Sequence, residues 1–187
     1  MLSYLPLADV IRRQGLRLVL VQGFPSPWGQ AAKTIFEIKS LEYVVAAQEA
    51  GGTNDELVAW AGENSGPVVA WNDAAPIHRW YDILMLAERL APVPALVPVN
   101  PRDRALMMGL SNELCGEGGL GWNRRLQMFA LMLDAPDAPA GVARMGSKYR
   151  YSQAGARAAG ARTAQQIAAL ATPVSYTHLT LPTNREV

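Results

Sequence analysis

Apolar and polar positions change rhythm along the chain. Leu16-Arg17-Leu18-Val19-Leu20-Val21 is a short, nearly unbroken apolar run stopped by Gly23, Pro25 and Pro27, the signature of a buried strand. From Trp28 to Lys39 the spacing becomes helical, with Trp28, Ala31, Ala32, Ile35 and Phe36 on one stripe. Leu41 to Ala47 predicts a second strand, broken at Gly51-Gly52, and Thr53 or Asn54 can cap a short helix through Ala61. Pro67 to Trp71 predicts a third strand and Asn72-Asp73 a turn. Trp80, Ile83, Leu84, Ala87, Leu90 and Ala91 then share the face of a helix beginning near Arg79. The order is β-α-β-α-β-(β)-α, the final bracketed strand being reduced to Pro76-Ile77.

Beyond residue 91 the strand rhythm disappears. Ala91 to Val99 holds three prolines within seven residues, which removes backbone donors and keeps the chain extended, as in a connector. Asn100-Pro101 then caps and opens a helix expected to reach Cys115, where glycines end it. Another helix follows Gly121 with Leu126, Phe129, Ala130 and Leu133 inward, and Ser152 can cap a third over Gln153 to Thr172. The expected layout is therefore an α/β domain over residues 1–91, a Pro-rich linker at 92–99 and an all-helical domain over 100–173.

Composition narrows the classes of function. Half of the 187 residues are hydrophobic, and 17 basic against 16 acidic side chains leave a net charge of +1, which fits neither a disordered chain nor a strongly basic nucleic-acid binder. The charge is uneven: residues 1–95 carry 7 basic and 10 acidic groups, residues 96–173 carry 9 and 5. Arg144, Lys148 and Arg150 with Tyr149 and Tyr151 could suggest nucleic acid, but a solvated helix approach accounts for them better. The longest apolar runs fall far short of the roughly 20 residues needed to span a bilayer, so no membrane partner is expected. Met1 to Arg13 places its basic pair after its apolar residues, the wrong order for a secretory signal. The single cysteine, Cys115, cannot form an internal disulfide, and a cytoplasmic address is the simplest. It reads as a small buried hydrophobe. Two His and one Cys far apart in sequence predict no metal site.

The layout, together with Ser26-Pro27-Trp28-Gly29-Gln30, Gly66-Pro67-Val68 and Ile83 to Leu90, resembles the glutathione transferase superfamily over about residues 16–133. A Gly-Trp-x-Arg-Arg-Leu stretch at Gly121 to Leu126 is similar to bacterial members. The resemblance implies a thioredoxin-like domain followed by a helical domain, glutathione as co-substrate, a small electrophile as second substrate, and a homodimer when the protein is full length. It also implies a chain truncated after about residue 173. Val174 to Thr183 resembles a sequencing adapter read as protein, so 174–187 is expected to be a foreign, unstructured tail, and the loss of helices to favour aggregation.

In this family the turn before the first helix activates the glutathione thiol, and the resemblance places Ser26 there as the catalytic candidate. The chemistry is sound, since a helix N-terminus offers amide donors and positive potential to an anionic sulfur. Ser26 also reads simply as the N-cap of that helix with Pro27 at its first position; the two roles compete for a lone pair but not for the hydroxyl proton. Pro25, Pro27 and Trp28 flank it, and no cysteine in the turn points to disulfide exchange. Gly66-Pro67 corresponds to the family's cis-proline, whose neighbouring backbone can pair with an extended peptide. His78 and Arg79 complete the expected glutathione contacts. Here the family has an acid followed by Ser, whereas this chain has Arg79-Trp80, a pair suited to a ligand carboxylate. That departure leaves a second reading open: a non-catalytic ligand-binding or scaffolding relative that has lost the glutathione site.

Overall fold

The computed structural model describes residues 3–23, 26–135 and 137–180, with side chains as far as Ala171. Two compact units result, Met1–Arg104 with Pro139–Met145, and Ala105–Ala138 with Gly146–Val187.

The first unit is built on a four-stranded sheet. Its elements are β1 (Tyr4–Leu5), α1 (Leu7–Arg12), β2 (Leu16–Val21), α2 (Pro27–Ile38), β3 (Val44–Gln48), α3 (Asp55–Ala61), β4 (Val68–Trp71) and α4 (Trp80–Leu90). The strand order is β1-β3-β2-β4, with β2 parallel to β3 and antiparallel to β4, so that Leu18 lies between Val45 and Val69. Because side chains alternate across a strand, β2 feeds two cores. Leu16, Leu18 and Leu20 pack with Ala32 and Phe36 of α2 and with Ile83, Leu86 and Ala87 of α4. Val19 points the other way, to Val10, Ala46, Leu57 and Val68. This two-sided burial is why β2 reads as a continuous apolar run, and each fully buried Leu, Val or Phe contributes on the order of 1.5–3 kcal/mol.

The bracketed last strand is a single bridge, in which Val69 and Ile77 exchange N–H···O bonds of 2.8 Å each. The second strand starts later than Leu41 and includes Gln48. Asn54 stands at the N-cap of α3 but does not cap it: with φ +50° its amide donates to the carbonyls of Glu49, Gly52 and Asn64 and pins the loop. Strand β1, two residues long, and helix α1 precede everything the periodicity signals. Val10 of α1 is fully buried, and Arg17 beneath it donates to the carbonyls of Ile11 and Asn72 with its guanidinium 5.6 Å from the Trp60 ring. Burial presses the Arg17 pKa below its ordinary value, while the Asp73 charge works in the opposite direction.

The Pro-rich stretch is anchored from below. Lys39 Nζ, wholly buried, lies 2.7 Å from Glu88 Oε1 and donates to the carbonyls of Ala91 and Pro94.

The second unit carries α5 (Pro101–Cys115) from Ala105 onward, α6 (Leu120–Leu133), the end of α7 (Ala140–Lys148) and α8 (Gln153–Thr180). Helix α7 lies between the helix after Gly121 and the one that Ser152 caps, in a stretch that carries no helical signal in the sequence. Helix α8 does not end at Thr172 but continues through Pro173 to Thr180. The stretch expected to be an unstructured tail from Val174 is thus helical for its first turns, and 181–187 lie outside the described residues. Leu126 and Phe129 face inward as expected. Beside them Asn123 is fully buried, donating to Gly118 O and Gln166 Oε1 and accepting from Arg162 Nε. Tyr149 packs against Trp122 and Phe129, the Tyr151 hydroxyl donates to Asp134, and Arg150 pairs with Glu117. The aromatic residues of this stretch are thereby used in packing.

Candidate functional site

Helix α2 begins where β2 must turn back over the sheet. Pro27 fixes φ at the first helical position, and Ser26 sits at the N-cap in extended conformation (φ −98°, ψ 125°) with its Oγ accepting from Gly29 N–H at 3.4 Å. A Cβ at Gly29 would stand 3.1 Å from Leu20 Cδ2, so Leu20 would have to shift by a few tenths of an ångström. Gly66 approaches the backbone of the same strand, where a Cβ would stand 2.5 Å from Val19 O and 3.1 Å from Leu20 Cα. The first turn of α2 and the entry of β4 therefore converge on Leu20.

The Gly66–Pro67 bond is cis and Pro67 is buried. Gly66 N–H donates to Gln48 Oε1 at 3.1 Å, joining the end of β3 to the entry of β4. Gln48 is only 6% exposed, and sequence reasoning passed over it. Its signal was a polar residue closing the otherwise apolar run from Val44. Ser26 and Trp28 are half-buried, Pro27 is exposed, and Pro25 lies outside the described residues.

His78 and Arg79 sit at the start of α4. Arg79 is the N-cap residue in extended conformation with no side-chain cap, exposed and without a partner among the described residues. His78 Nδ1 lies 3.4 Å from Glu63 Oε1. Trp80 meets the Tyr81 ring edge-on at 5.9 Å. The structure thus brings Gly29 and Gly66 to one strand residue, Leu20, with Ser26 hydrogen-bonded to Gly29 and Pro67 next to Gly66 in the chain, while His78 is engaged by Glu63.

Cys115 is half-buried at the end of α5, and burial raises its thiol pKa. Among the described residues no three His, Cys, Asp or Glu side chains cluster as a metal site would need, and no helix is long and apolar enough to cross a membrane.

No protein-family model matches the sequence, and no curated protein matches it. Similarity is found among solved structures. A glutathione transferase homologue from Sulfitobacter with bound glutathione superposes with a TM-score of 0.62 at 18% identity, over 91% of this chain and 73% of that one. The theta class glutathione S-transferase from Xanthomonas axonopodis pv. citri with glutathione bound gives 0.59 at 18% identity, over 87% and 72%. The Tau class glutathione S-transferase from mango, Mangifera indica, gives 0.55 at 19% identity, over 83% of this chain and only 60% of that enzyme's length. The chain has the glutathione transferase fold: a thioredoxin-like sheet domain with helical structure after it.

Proposed function

We propose that this chain is a glutathione transferase-like protein, which binds glutathione across the first turn of α2 and the Gly66–Pro67 edge and joins its sulfur to a small electrophile. The observation that supports the reading is the approach of Gly29, in the first turn of α2 that Ser26 caps, and of Gly66, at the entry of β4, to the same strand residue, Leu20. Structures of the same fold hold glutathione, as in the proteins from Sulfitobacter and Xanthomonas.

The chemistry follows from the hydroxyl's inventory. Ser26 Oγ spends a lone pair on Gly29 N–H, and its proton remains to donate to a thiolate. Together with the positive end of the α2 dipole this favours the ionised sulfur, the released proton passing to solvent. The thiolate then attacks the electrophilic carbon, forming a C–S bond as the leaving group departs or a double bond accepts the electron pair. Pro25, Pro27, Trp28, Pro67, His78 and Arg79 complete the proposed contacts. No metal is assigned to the reaction. A cytoplasmic address, a bacterial origin and a homodimer belong to the same proposal. So does the division into a transferase N-terminal domain over 1–91, a linker at 92–99 and a helical domain over 100–173.

Arg79 supports a second reading. An exposed guanidinium stands where the family resemblance places an acid, and Trp80 where it places Ser. A protein that keeps the fold for ligand binding or scaffolding accounts for that pair. Calorimetric titration with glutathione separates the two, with turnover of a chromogenic electrophile as the second readout. Binding with turnover supports the enzyme, binding without turnover the second reading, and no heat from folded protein rejects glutathione as the ligand.

A further inference from the structure

Pro67 has no amide hydrogen, so the backbone donor next to it on the entry side of β4 is the N–H of Gly66. The ladder between β2 and β4 ends at Val19 and Val68, and this N–H lies beyond it. It is nevertheless engaged, because Gln48 Oε1 accepts it at 3.1 Å. A side-chain amide carbonyl has the acceptor chemistry of a peptide carbonyl. Gln48 therefore stands where the carbonyl of an extended guest would pair. Its backbone is fixed: it lies opposite Val21 in the β2–β3 ladder, and Gln22 N–H donates to its carbonyl at 3.4 Å. The buried side chain is held at both ends, with Nε2 donating to Glu49 O. Only that side chain has to move for Gly66 to be released. Gln48 also lines a cavity of about 510 Å³ at the carboxyl ends of β2 and β3, which gives the rotated side chain room.

One N–H serves one acceptor well, so a thiol peptide laid along Gly66–Pro67 has to replace the carbonyl of Gln48 with its own. We propose that Gln48 is a built-in competitor at this edge, a residue that sets the affinity of the site by requiring each peptide guest to displace it. This rests on the proposed function, which lays the guest there. A hydrogen bond that is only exchanged adds little net free energy, and the displaced Gln48 carbonyl must find a new partner or stay unsatisfied. The guest's remaining contacts then have to carry its binding.

The test titrates the folded full chain and its Gln48→Met variant with glutathione by calorimetry. Methionine keeps the length and the apolar stem of the side chain but lacks the carbonyl. The expected result is binding about threefold to tenfold tighter in the variant, the size of one hydrogen bond gained rather than exchanged. Without ligand, amide exchange at Gly66 should be faster in the variant, and exchange as slow as in the wild type overturns the inference. Equal or weaker glutathione binding by the variant also overturns it and leaves the proposed function standing. Binding by the variant alone supports the inference, the wild type then being closed by its own side chain. No heat with either folded protein overturns both. If Gln48→Met does not fold, the magnetic resonance signals of the Gln48 side-chain amide in isotope-labelled wild type decide: a shift on saturation with glutathione supports the inference, and unmoved signals overturn it.

Discussion

Lys39 and Glu88 form a buried ion pair of 2.7 Å that joins the end of α2 to α4, while the same ammonium holds the carbonyls of Ala91 and Pro94. Burial pushes the Glu88 carboxyl upward. The hydrogen bond and charge of Lys39, with backbone donors from Leu96 and Val97, outweigh it and bring the net pKa below the ordinary 4.5. A carboxyl lowered on folding adds stability above its unfolded pKa and loses it as pH falls through the folded value. Stability should therefore decline below about pH 4.5 in the wild type, and Glu88→Gln should flatten that contribution. At pH 7 the substitution should cost about 3 kcal/mol, since it leaves an ammonium buried without its counter-charge. Urea denaturation of both proteins between pH 3 and 7 checks the sign and the size.

Gly66 has no room for a side chain. A Cβ 2.5 Å from Val19 O requires backbone displacement, so Gly66→Ala should destabilise the chain by about 1–3 kcal/mol. Gly15, with φ +86° but nothing within 4 Å of a Cβ, supplies the contrast: Gly15→Asn should cost under about 1 kcal/mol because Asn tolerates left-handed backbone. Denaturation midpoints of the two variants test whether closeness or conformation limits each site.

Asn123 joins Gly118, Gln166 and Arg162 in the second unit. Asn123→Leu removes one member and strands the others, so a loss of about 2–3 kcal/mol is expected in spite of the larger apolar side chain. Thermal unfolding followed by Trp122 fluorescence measures it.

Burial raises the Cys115 thiol, leaving less thiolate at neutral pH than a free cysteine has. Iodoacetamide should label native protein several-fold more slowly at pH 7.5 than urea-unfolded protein, with the native rate rising at higher pH than for the unfolded chain.

The periodicity located β2, α2, β4, α4 and α6 because each buries one face, or both, whereas α5, which buries no residue, was marked by its Asn100–Pro101 start and the glycines that follow it. Strand β1 escaped notice because Tyr4–Leu5 is too short to show a period, and α1 because Val10 is its only buried residue. Asn54 carries a capping residue's chemistry, but the carbonyls of Glu49, Gly52 and Asn64 compete for its side chain, a tertiary outcome that local sequence does not encode. At the candidate site, Ser26 and Gly66–Pro67 were legible because turn chemistry is local. Gln48 was not, since only the folded sheet brings the end of β3 to the entry of β4.

The most direct measurement is calorimetric titration of wild type and Ser26→Ala with glutathione and a chromogenic electrophile. The account predicts saturable binding to both proteins, within about threefold of each other, and turnover about 10²- to 10³-fold lower in the variant, the scale for removing one donor to a reacting anion. Folded wild-type protein that gives no heat with glutathione, or a variant that turns over at the wild-type rate, would contradict it.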